Sequence, residues 1–420
     1  MSAFHITGKH RLEGSLRVHG AKNSVLPILA ATLVSGGVSV VRNCPCLKDV
    51  DSSIRILSHL GCKVRREGDA VVVDSSGMNR VDIPDGLMRE MRSSVVFLGA
   101  ILARAGEALM SFPGGCELGP RPIDLHLSSL RALGAQITEE SGTIICRAPA
   151  LRGAEITLSF PSVGATENVM LAACKSEGVT RINNAAKEPE IEDLQDFLNA
   201  IGGRVSGAGT STVVVEGTQT FQDADHAIIP DRIVASTLLA STAAAGGDVT
   251  LTGVKPVHFA AVCATFQESG CQLEIGTETV RLRRGDAPLR AVRPLRTMPY
   301  PGFPTDAQAP VMAALACAQG STIFVENIFE SRYRHVGELA RMGADIRVEG
   351  RVAVVCGVPG LFGTQVSSTD LRGGASLVVA GLAAEGKTVV STLDHIDRGY
   401  DRLEEQLTAL GAEITRAEKS

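Results

Sequence analysis

A motif that recurs six times constrains the fold of this chain more than any other feature. Each copy has the form L-x-x-x-G, or a close variant, followed by a strand pattern: LSHLGCKV, LRALGAQI, LNAIGGRV, FQESGCQL, LARMGADI and LTALGAEI. The glycines stand at positions 61, 134, 202, 270, 343 and 411, so neighbouring copies are 68 or 73 residues apart. A glycine directly after a helix suits the left-handed position that ends it. Near-equal spacing indicates one structural unit used six times.

The sequence around each copy predicts the rest of the unit. A glycine-led apolar strand precedes each motif, and before it stands an apolar helix rich in small residues, such as ASTLLASTAAAGG or SLVVAGLAAEG. That helix is apolar nearly all round and should be buried, whereas the second helix is charged on one face and should lie outside. Because six units exceed one core, we divide them three and three. The predicted fold class is α/β: a two-domain inverse α/β barrel of helix-strand-helix-strand-strand units, three per domain.

The two ends of the sequence predict how the domains are connected. The sixth unit stops at AEITRAEKS without its second hairpin strand, while AFHITG and LEGSLRV read as strands before the first helix. We therefore expect Phe4–Val18 to complete the sheet of the last unit. One domain then contains residues 1–20 plus 230–420, and the other contains residues 21–229. Two crossings, near Gly20 and Pro230, predict a hinge that closes over a ligand.

Composition narrows the class of protein. A net charge of −5 gives no support to a nucleic-acid partner. Since no apolar run reaches about 18 residues, no membrane span is expected. The N-terminus lacks the apolar core of a secretory signal. The ten cysteines are scattered without zinc-type spacing, so no metal and no cofactor is expected. The chain is predicted to be soluble, reduced and cytoplasmic.

A glycine- and proline-rich stretch, SFPGGCELGPRPIDLH at Ser111–His126, interrupts two helical patterns. So many glycines and prolines predict a loop, and loops held between regular elements commonly present reactive groups. Cys116 follows a glycine pair, and Arg121 can reach an anion. A surface turn with a chance cysteine is equally compatible with this stretch alone.

The starts of the buried helices carry polar residues. They are Lys22 and Asn23, Arg92, Thr166, Asp231 and Arg232, Asp306, and Asp370 and Arg372. Any one of them could be a helix cap or a solvated charge. If the domains face each other at these starts, however, helix amides and basic side chains form an anion site. Arg332, Arg334, Arg372 and Arg398 suit contacts to carboxylates or phosphates. We therefore expect a substrate bearing several such groups.

Several long segments, in order along nearly the full chain, resemble the UDP-N-acetylglucosamine (UDP-GlcNAc) 1-carboxyvinyltransferases, an enolpyruvyl transferase family. They are GAKNSVLPILAATL, PGGCELGPRPIDLH, SVGAT, EPEIED, FPTDAQAP, DLRGGASLVVAG and HIDRGYDRLEEQLTALGA. The resemblance implies transfer of the enolpyruvyl group of phosphoenolpyruvate to the sugar 3′-hydroxyl, as the first committed step of peptidoglycan precursor synthesis. It also implies an inverse α/β barrel in each domain and inactivation by fosfomycin.

The resemblance also implies roles for individual residues. Catalytic roles fall to Cys116, Asp306, Lys22, Arg398 and Asp370. Lys22, Arg121 and Arg398, with Arg332 and Arg372 nearby, match contacts to phosphoenolpyruvate. Asn23, Arg92, Arg121, Pro122, Ile123, Asp124, Leu125, Asp306 and Ile328 match contacts to UDP-GlcNAc. Cys116 resembles a loop cysteine that gives a proton to C3 of phosphoenolpyruvate and can add to its C2. Phe160 departs from relatives with lysine there, so one nucleotide-phosphate contact is missing or supplied elsewhere.

The residue types fit this chemistry independently of the resemblance. Addition and elimination need a proton donor, a base for the alcohol and cations for the departing phosphate. A thiol, a carboxylate at a helix start and an arginine cluster supply these. Two alternatives stay open: the related enolpyruvyl shikimate phosphate synthase, and a non-catalytic sensor of nucleotide sugars. Loss of Cys116, Asp306 or Lys22 would favour the sensor, and all three are present.

Overall fold

A computed structural model describes residues 2–111 and 123–418. In this part of the chain the α-helices are α1 (Lys22–Ser35), α2 (Lys48–His59), α3 (Asp85–Glu90), α4 (Phe97–Ala105), α5 (Asp124–Ala132), α6 (Val163–Ala173), α7 (Pro189–Ala200), α8 (Arg232–Ala245), α9 (Ala260–Glu268), α10 (Thr305–Leu315), α11 (Val336–Arg341), α12 (Leu371–Ala383) and α13 (Leu403–Ala409). Short 3₁₀ helices cover Arg92–Val96, Pro256–Phe259 and Ile396–Arg398.

The strands of the described residues complete the inventory. They are β1 (Ser2–Thr7), β2 (Leu12–Arg17), β3 (Val38–Arg42), β4 (Lys63–Glu67), β5 (Ala70–Asp74), β6 (Asp82–Ile83), β7 (Glu107–Ser111), β8 (Gln136–Glu140), β9 (Thr143–Arg147), β10 (Glu155–Thr157), β11 (Val179–Asn183), β12 (Arg204–Ser206), β13 (Thr212–Glu216), β14 (Ala224–Ala227), β15 (Gly247–Thr252), β16 (Gln272–Ile275), β17 (Thr279–Arg284), β18 (Leu295–Arg296), β19 (Ser321–Val325), β20 (Asp345–Glu349), β21 (Val352–Cys356), β22 (Gln365–Ser367), β23 (Lys387–Ser391) and β24 (Glu413–Glu418).

Contacts divide the described chain into two compact units. The first contains residues 2–19 and 230–418, and the second contains residues 20–111 and 123–229. Each unit has its own hydrophobic core. None of the helices in the described ranges combines the length and apolar character needed to span a membrane.

In the first unit, the apolar helices α8, α10 and α12 pack on one another at the centre, as the sequence predicts. Three four-stranded sheets belong to this unit, with strand orders β16-β17-β15-β2, β18-β19-β21-β20 and β22-β23-β1-β24. Each sheet combines one parallel pair with two antiparallel pairs. Buried helices and peripheral sheets confirm the predicted inverse α/β arrangement.

The second unit repeats this plan around α1, α4 and α6. Its sheets have the orders β14-β3-β5-β4, β6-β7-β9-β8 and β10-β11-β13-β12. Helices α4 and α6 approach closely at Gly99, where a Cβ would lie 2.3 Å from the carbonyl oxygen of Asn168. The backbone of this helix pair therefore requires glycine at this position.

The six glycines of the repeated motif are left-handed. Their φ angles are 98°, 95°, 100°, 105°, 95° and 95° in chain order, as a glycine that ends a helix requires. The repeat prediction is confirmed at this level of detail.

Three details differ from the sequence prediction. Strand β2 does not join the sheet of the last unit; it pairs in parallel with β15, whereas β1 alone pairs with β23 and β24. Lys9, with φ of 67°, turns the chain between β1 and β2. Each sheet also gains a parallel edge strand that the unit lacks, because strands as short as two residues carry no alternation signal. The helix expected near Arg92 begins as a 3₁₀ helix and becomes α-helical only at Phe97.

Candidate functional site

Three charged side chains meet at the start of α10 in the first unit. Asp306 is the second residue of that helix, and its Oδ1 accepts a hydrogen bond from Arg332 Nη2 at 2.8 Å. Arg372 Nη2 lies 3.5 Å from Asp306 Oδ2. Both arginine side chains are almost fully buried, while that of Asp306 keeps 26% exposure. We call Asp306, Arg332 and Arg372 the Asp306 cluster.

The electrostatics of this cluster favour the ionised carboxylate. Burial alone would raise the pKa of Asp306, but Arg372, Arg332 and Arg232 together hold that pKa well below its ordinary value. The sequence predicts Asp306 as a base, yet a carboxylate held between guanidinium groups is a weak base. Any such role therefore requires that these cations find another anion.

The arginines of the cluster retain unused donors. Arg332 Nε, Arg372 Nε and Arg372 Nη1 are buried and have no hydrogen-bond partner among the described residues. Buried N–H groups without partners are costly, so each calls for a partner such as a water molecule or a ligand. Arg372 also lies over the ring of Tyr400, at 5.3 Å from its centroid. The cluster thus presents fixed donors suited to a phosphate or carboxylate.

Asp370 has a structural task at the start of α12. Its Oδ1 accepts from the backbone N–H groups of Arg372 and Gly373 at 3.1 and 2.9 Å, and its Oδ2 accepts from Thr369 Oγ1 at 3.1 Å. It is therefore the N-cap of the helix that carries Arg372. Its predicted catalytic role stays a prediction. Arg398, at the end of a 3₁₀ helix that packs on α12, is half-buried.

In the second unit, the predicted phosphoenolpyruvate contact Lys22 begins α1. Its Nζ lies 2.7 Å from Asp49 Oδ2, and both side chains are buried. Asp49, in the first turn of α2, was not singled out by sequence reasoning, because an acidic residue there reads equally well as a helix-dipole partner. Asn23 follows on α1 and is half-buried.

The remaining residues predicted to contact UDP-GlcNAc lie on separate elements. Ile123 is buried directly before α5, Asp124 begins that helix and is exposed, and Leu125 is half-buried. Arg92 begins the 3₁₀ helix before α4. Cys116, Arg121 and Pro122 lie outside the described residues. Phe160 is 44% exposed.

The segment after β19 contains Ile328 and a residue that sequence reasoning missed. The backbone N–H of Ile328 donates to Glu326 Oε1 at 2.8 Å, and Glu326 is only 1% exposed. A single acidic residue after a strand gives no sequence signal that distinguishes it from an exposed turn residue. The structure therefore adds Glu326 and Asp49 to the candidate residues.

Comparisons with known proteins agree with this architecture. The sequence matches the family described as EPSP synthase (3-phosphoshikimate 1-carboxyvinyltransferase) over residues 6–407. It is 52% identical to UDP-N-acetylglucosamine 1-carboxyvinyltransferase 2 of Caldanaerobacter subterraneus subsp. tengcongensis, over 99% of this chain and 100% of that protein. It is 47% identical to UDP-N-acetylglucosamine 1-carboxyvinyltransferase of Zymomonas mobilis, over 99% of each chain.

Solved structures of enolpyruvyl transferases have the same fold as this chain. The enolpyruvyl transferase NikO from Streptomyces tendae superimposes with a TM-score of 0.89 at 25% identity, covering 100% of this chain and 99% of that one. EPSP synthase from Acinetobacter baumannii superimposes with a TM-score of 0.73 at 19% identity, covering 100% of both chains, and supports the fold alone. The chain therefore belongs to the EPSP synthase family of enolpyruvyl transferases and, within it, to the UDP-N-acetylglucosamine 1-carboxyvinyltransferases.

Proposed function

We propose that this protein transfers the enolpyruvyl group of phosphoenolpyruvate to the 3′-hydroxyl of UDP-GlcNAc and releases inorganic phosphate. In the addition step, C3 of phosphoenolpyruvate gains a proton while the hydroxyl oxygen bonds to C2 and loses its own proton. In the elimination step, C3 loses a proton and the C2–phosphate bond breaks. The Asp306 cluster carries the proposal, because a carboxylate and buried cations with unused donors lie together in a member of this family.

Each step needs a group that this chain can supply. Asp306 takes the proton of the hydroxyl, and Arg332 and Arg372 bind an anionic group of the substrates. Lys22 and Arg398 contact phosphoenolpyruvate, and Cys116 delivers the proton to C3. Asn23, Arg92, Arg121, Pro122, Ile123, Asp124, Leu125 and Ile328 contact UDP-GlcNAc. The reaction places the protein at the entry to peptidoglycan precursor synthesis.

The low pKa of Asp306 suggests how its basicity is restored. When a substrate phosphate or carboxylate bonds to Arg332 and Arg372, the positive field at Asp306 weakens and its pKa rises toward the ordinary range. The carboxylate then becomes a stronger base only in the presence of bound anion. The unused guanidinium donors support this exchange, because an anion that reached them could bond to the arginines without first displacing Asp306.

The domain division is also a proposal. We propose that residues 1–20 with 230–420 form one domain of the enzyme and that residues 21–229, which include Cys116, form the other. The pairing of β1 with β23 and of β2 with β15 supports the assignment of the N-terminal strands.

One assay tests the function directly. Phosphate release from phosphoenolpyruvate is measured with UDP-GlcNAc and, separately, with shikimate 3-phosphate as acceptor. We expect phosphate release when UDP-GlcNAc is the acceptor and none when shikimate 3-phosphate is the acceptor. Release only with shikimate 3-phosphate would assign the chain to the other activity of the family, and absence of release with both, together with UDP-GlcNAc binding, would indicate a sensor.

A further inference from the structure

Glu326, directly after β19, is a buried carboxylate with four hydrogen bonds. Its Oε1 accepts from Thr297 Oγ1 at 3.0 Å and from the backbone N–H groups of Ile328 and Phe329 at 2.8 and 2.9 Å. Its Oε2 accepts from Thr305 Oγ1 at 2.9 Å. Burial of a charge is costly without such bonds, so the carboxylate and its donors must stay together in the folded state.

Comparison of the repeated units shows that the scaffold does not require this residue. The residues directly after β3, β11, β15 and β23 are Asn43, Asn184, Gly253 and Thr392, whose φ angles are 55°, 53°, 62° and 61°. Glu326 occupies the same place after β19, yet it is not among the left-handed residues of the described chain. The fifth unit therefore leaves its strand differently from the first, third, fourth and sixth.

The neighbouring Asn327 takes over the scaffold contact. Asn43 Nδ2 donates to the carbonyl of Ile228 at 2.9 Å, and Asn184 Nδ2 donates to that of Leu158 at 2.8 Å. Each carbonyl belongs to the residue after the parallel edge strand. In the fifth unit Asn327 Nδ2 makes the equivalent bond, to Thr297 O at 3.1 Å. Compared with the first and third units, the fifth unit therefore has one additional residue, Glu326, before the asparagine that makes this contact. The scaffold contact does not use the carboxylate of Glu326.

The partners of Glu326 indicate that task. Thr305 precedes Asp306 at the start of α10, and its carbonyl also accepts from Arg332 Nη2 at 3.1 Å. Ile328 is one of the proposed contacts to UDP-GlcNAc. We propose that Glu326 is a positioning residue for the acceptor substrate, UDP-GlcNAc. It holds Asp306 in place through Thr305, and it holds Ile328 in place by accepting a hydrogen bond from the backbone N–H of Ile328. This inference rests on the proposed function of the Asp306 cluster.

The effect of Glu326→Gln tests the proposal. A glutamine side chain retains the carbonyl oxygen for Ile328 and Phe329. Its amide nitrogen can only donate, so the charge-assisted bond from Thr305 Oγ1 is lost and at most a reversed, neutral bond replaces it. Hydrogen bonds to charged groups are worth enough that we expect the KM for UDP-GlcNAc to rise about tenfold or more. The KM for phosphoenolpyruvate should change less than about twofold, because none of the four hydrogen bonds of Glu326 goes to a proposed phosphoenolpyruvate contact.

Thr305 provides the second arm of the test, and it disturbs the fold less. Thr305→Val removes the hydroxyl that donates to Glu326 Oε2, and Thr305→Ser keeps it. We expect the valine variant to raise the KM for UDP-GlcNAc and the serine variant to restore it. Combining Glu326→Gln with Thr305→Val should cost less than the sum of the two, because both remove the same charge-assisted bond.

Glu268→Gln is the matched control. Glu268 is a carboxylate in the same unit that accepts the backbone N–H of Arg293 at 2.7 Å, outside the candidate site. The Glu268→Gln variant should leave both KM values unchanged. A purely structural role for Glu326 would lower the midpoint of thermal unfolding and the active fraction, but it would leave both KM values as in the wild type. That result, or additive effects of Glu326→Gln and Thr305→Val, would overturn the proposal.

The proposed function is judged separately, from turnover by the wild type. The variants are compared with the wild type on whichever acceptor it uses, UDP-GlcNAc or shikimate 3-phosphate, or by UDP-GlcNAc binding if neither reacts. An unchanged acceptor KM, or an unchanged dissociation constant in the binding experiment, would overturn the role of Glu326 even if the proposed reaction is correct.

Discussion

Arg332 bonds to both Asp306 and the residue before it: its Nη2 lies 2.8 Å from Asp306 Oδ1 and 3.1 Å from Thr305 O. One buried guanidinium nitrogen therefore fixes the side chain of Asp306 and the backbone at the start of α10. A change at Asp306 should alter charge without freeing this helix start, because Arg332 retains its bond to the carbonyl. The charge of Asp306 can therefore be removed by a conservative substitution without disturbing the start of α10.

Asp306→Asn should abolish most turnover while UDP-GlcNAc still binds. The carboxamide can still accept from Arg332, but it cannot take a proton at neutral pH, so the rate should fall about a hundredfold or more. Phosphate release gives the rate, and calorimetric titration gives the affinity. Asp248→Asn is the control, because Asp248 pairs with Arg281 in the same unit outside the cluster. Turnover within about tenfold of wild type would remove Asp306 from the role of base.

His126 should make the folded state sensitive to acid. Asn168 Oδ1 accepts from Gly99 N–H and its Nδ2 donates to Val95 O, so the amide also donates to His126 Nδ1, at 2.6 Å. Nδ1 therefore has no room for a proton, and burial lowers the pKa of His126 to about 4. The unfolded chain, with an ordinary histidine pKa near 6.5, binds the proton first as pH falls.

Stability should accordingly fall between pH 6.5 and pH 4, by up to roughly 3 kcal/mol from this residue. His126→Gln should show a shallower loss over the same range in urea unfolding experiments. Equal slopes for the two proteins would mean that His126 takes up a proton as readily in the folded chain as in the unfolded one.

Glu167 should have the opposite pH dependence. It is buried in α6, and burial followed by the charges of Glu190 and Glu188 raises its pKa to about 8. The folded chain thus retains a proton that the unfolded chain releases near the ordinary value of 4.5. Its contribution to stability is fully present below that pH and is lost as pH rises through about 8. Glu167→Gln should therefore raise the unfolding midpoint more at pH 8 than at pH 5, as measured by differential scanning fluorimetry. A midpoint difference independent of pH would contradict this assignment.

Fosfomycin should form one adduct, on Cys116. Burial raises the pKa of Cys44, Cys146, Cys174 and Cys263 to about 12, which leaves little thiolate for reaction. Mass spectrometry of digested protein locates the adduct. Cys116→Asp should carry none and remain active in the presence of the drug, since a carboxylic acid can also donate a proton, whereas Cys116→Ser should be nearly inactive. Modification of the exposed Cys46 instead would show that exposure alone decides reactivity.

The repeated architecture could be predicted from the sequence because its signals are local. Gly61 and its five equivalents mark helix ends by their own backbone requirement, and Lys22 and Asp306 are recognisable at helix starts. The contacts of Asp306 could not be predicted, because Arg332 and Arg372 reach it only after three distant segments pack. Glu326 was missed for a related reason: its four donors come from residues that lie up to 29 positions away. Strand β2 was assigned to the wrong sheet because Leu12–Arg17 carries no information about which edge it joins.

The position of β1 has a consequence for synthesis on the ribosome. This strand lies between β23 and β24, so the sheet that contains residues 2–7 cannot be completed until residues 413–418 have emerged. The described part of the second unit, residues 20–111 and 123–229, is free of that delay. Domains generally fold as units during synthesis, so the second unit can form while its companion still waits for its last strand. Until β15 and β23 have been made, β2 and β1 remain unpaired edges that a nascent chain must keep from other partners.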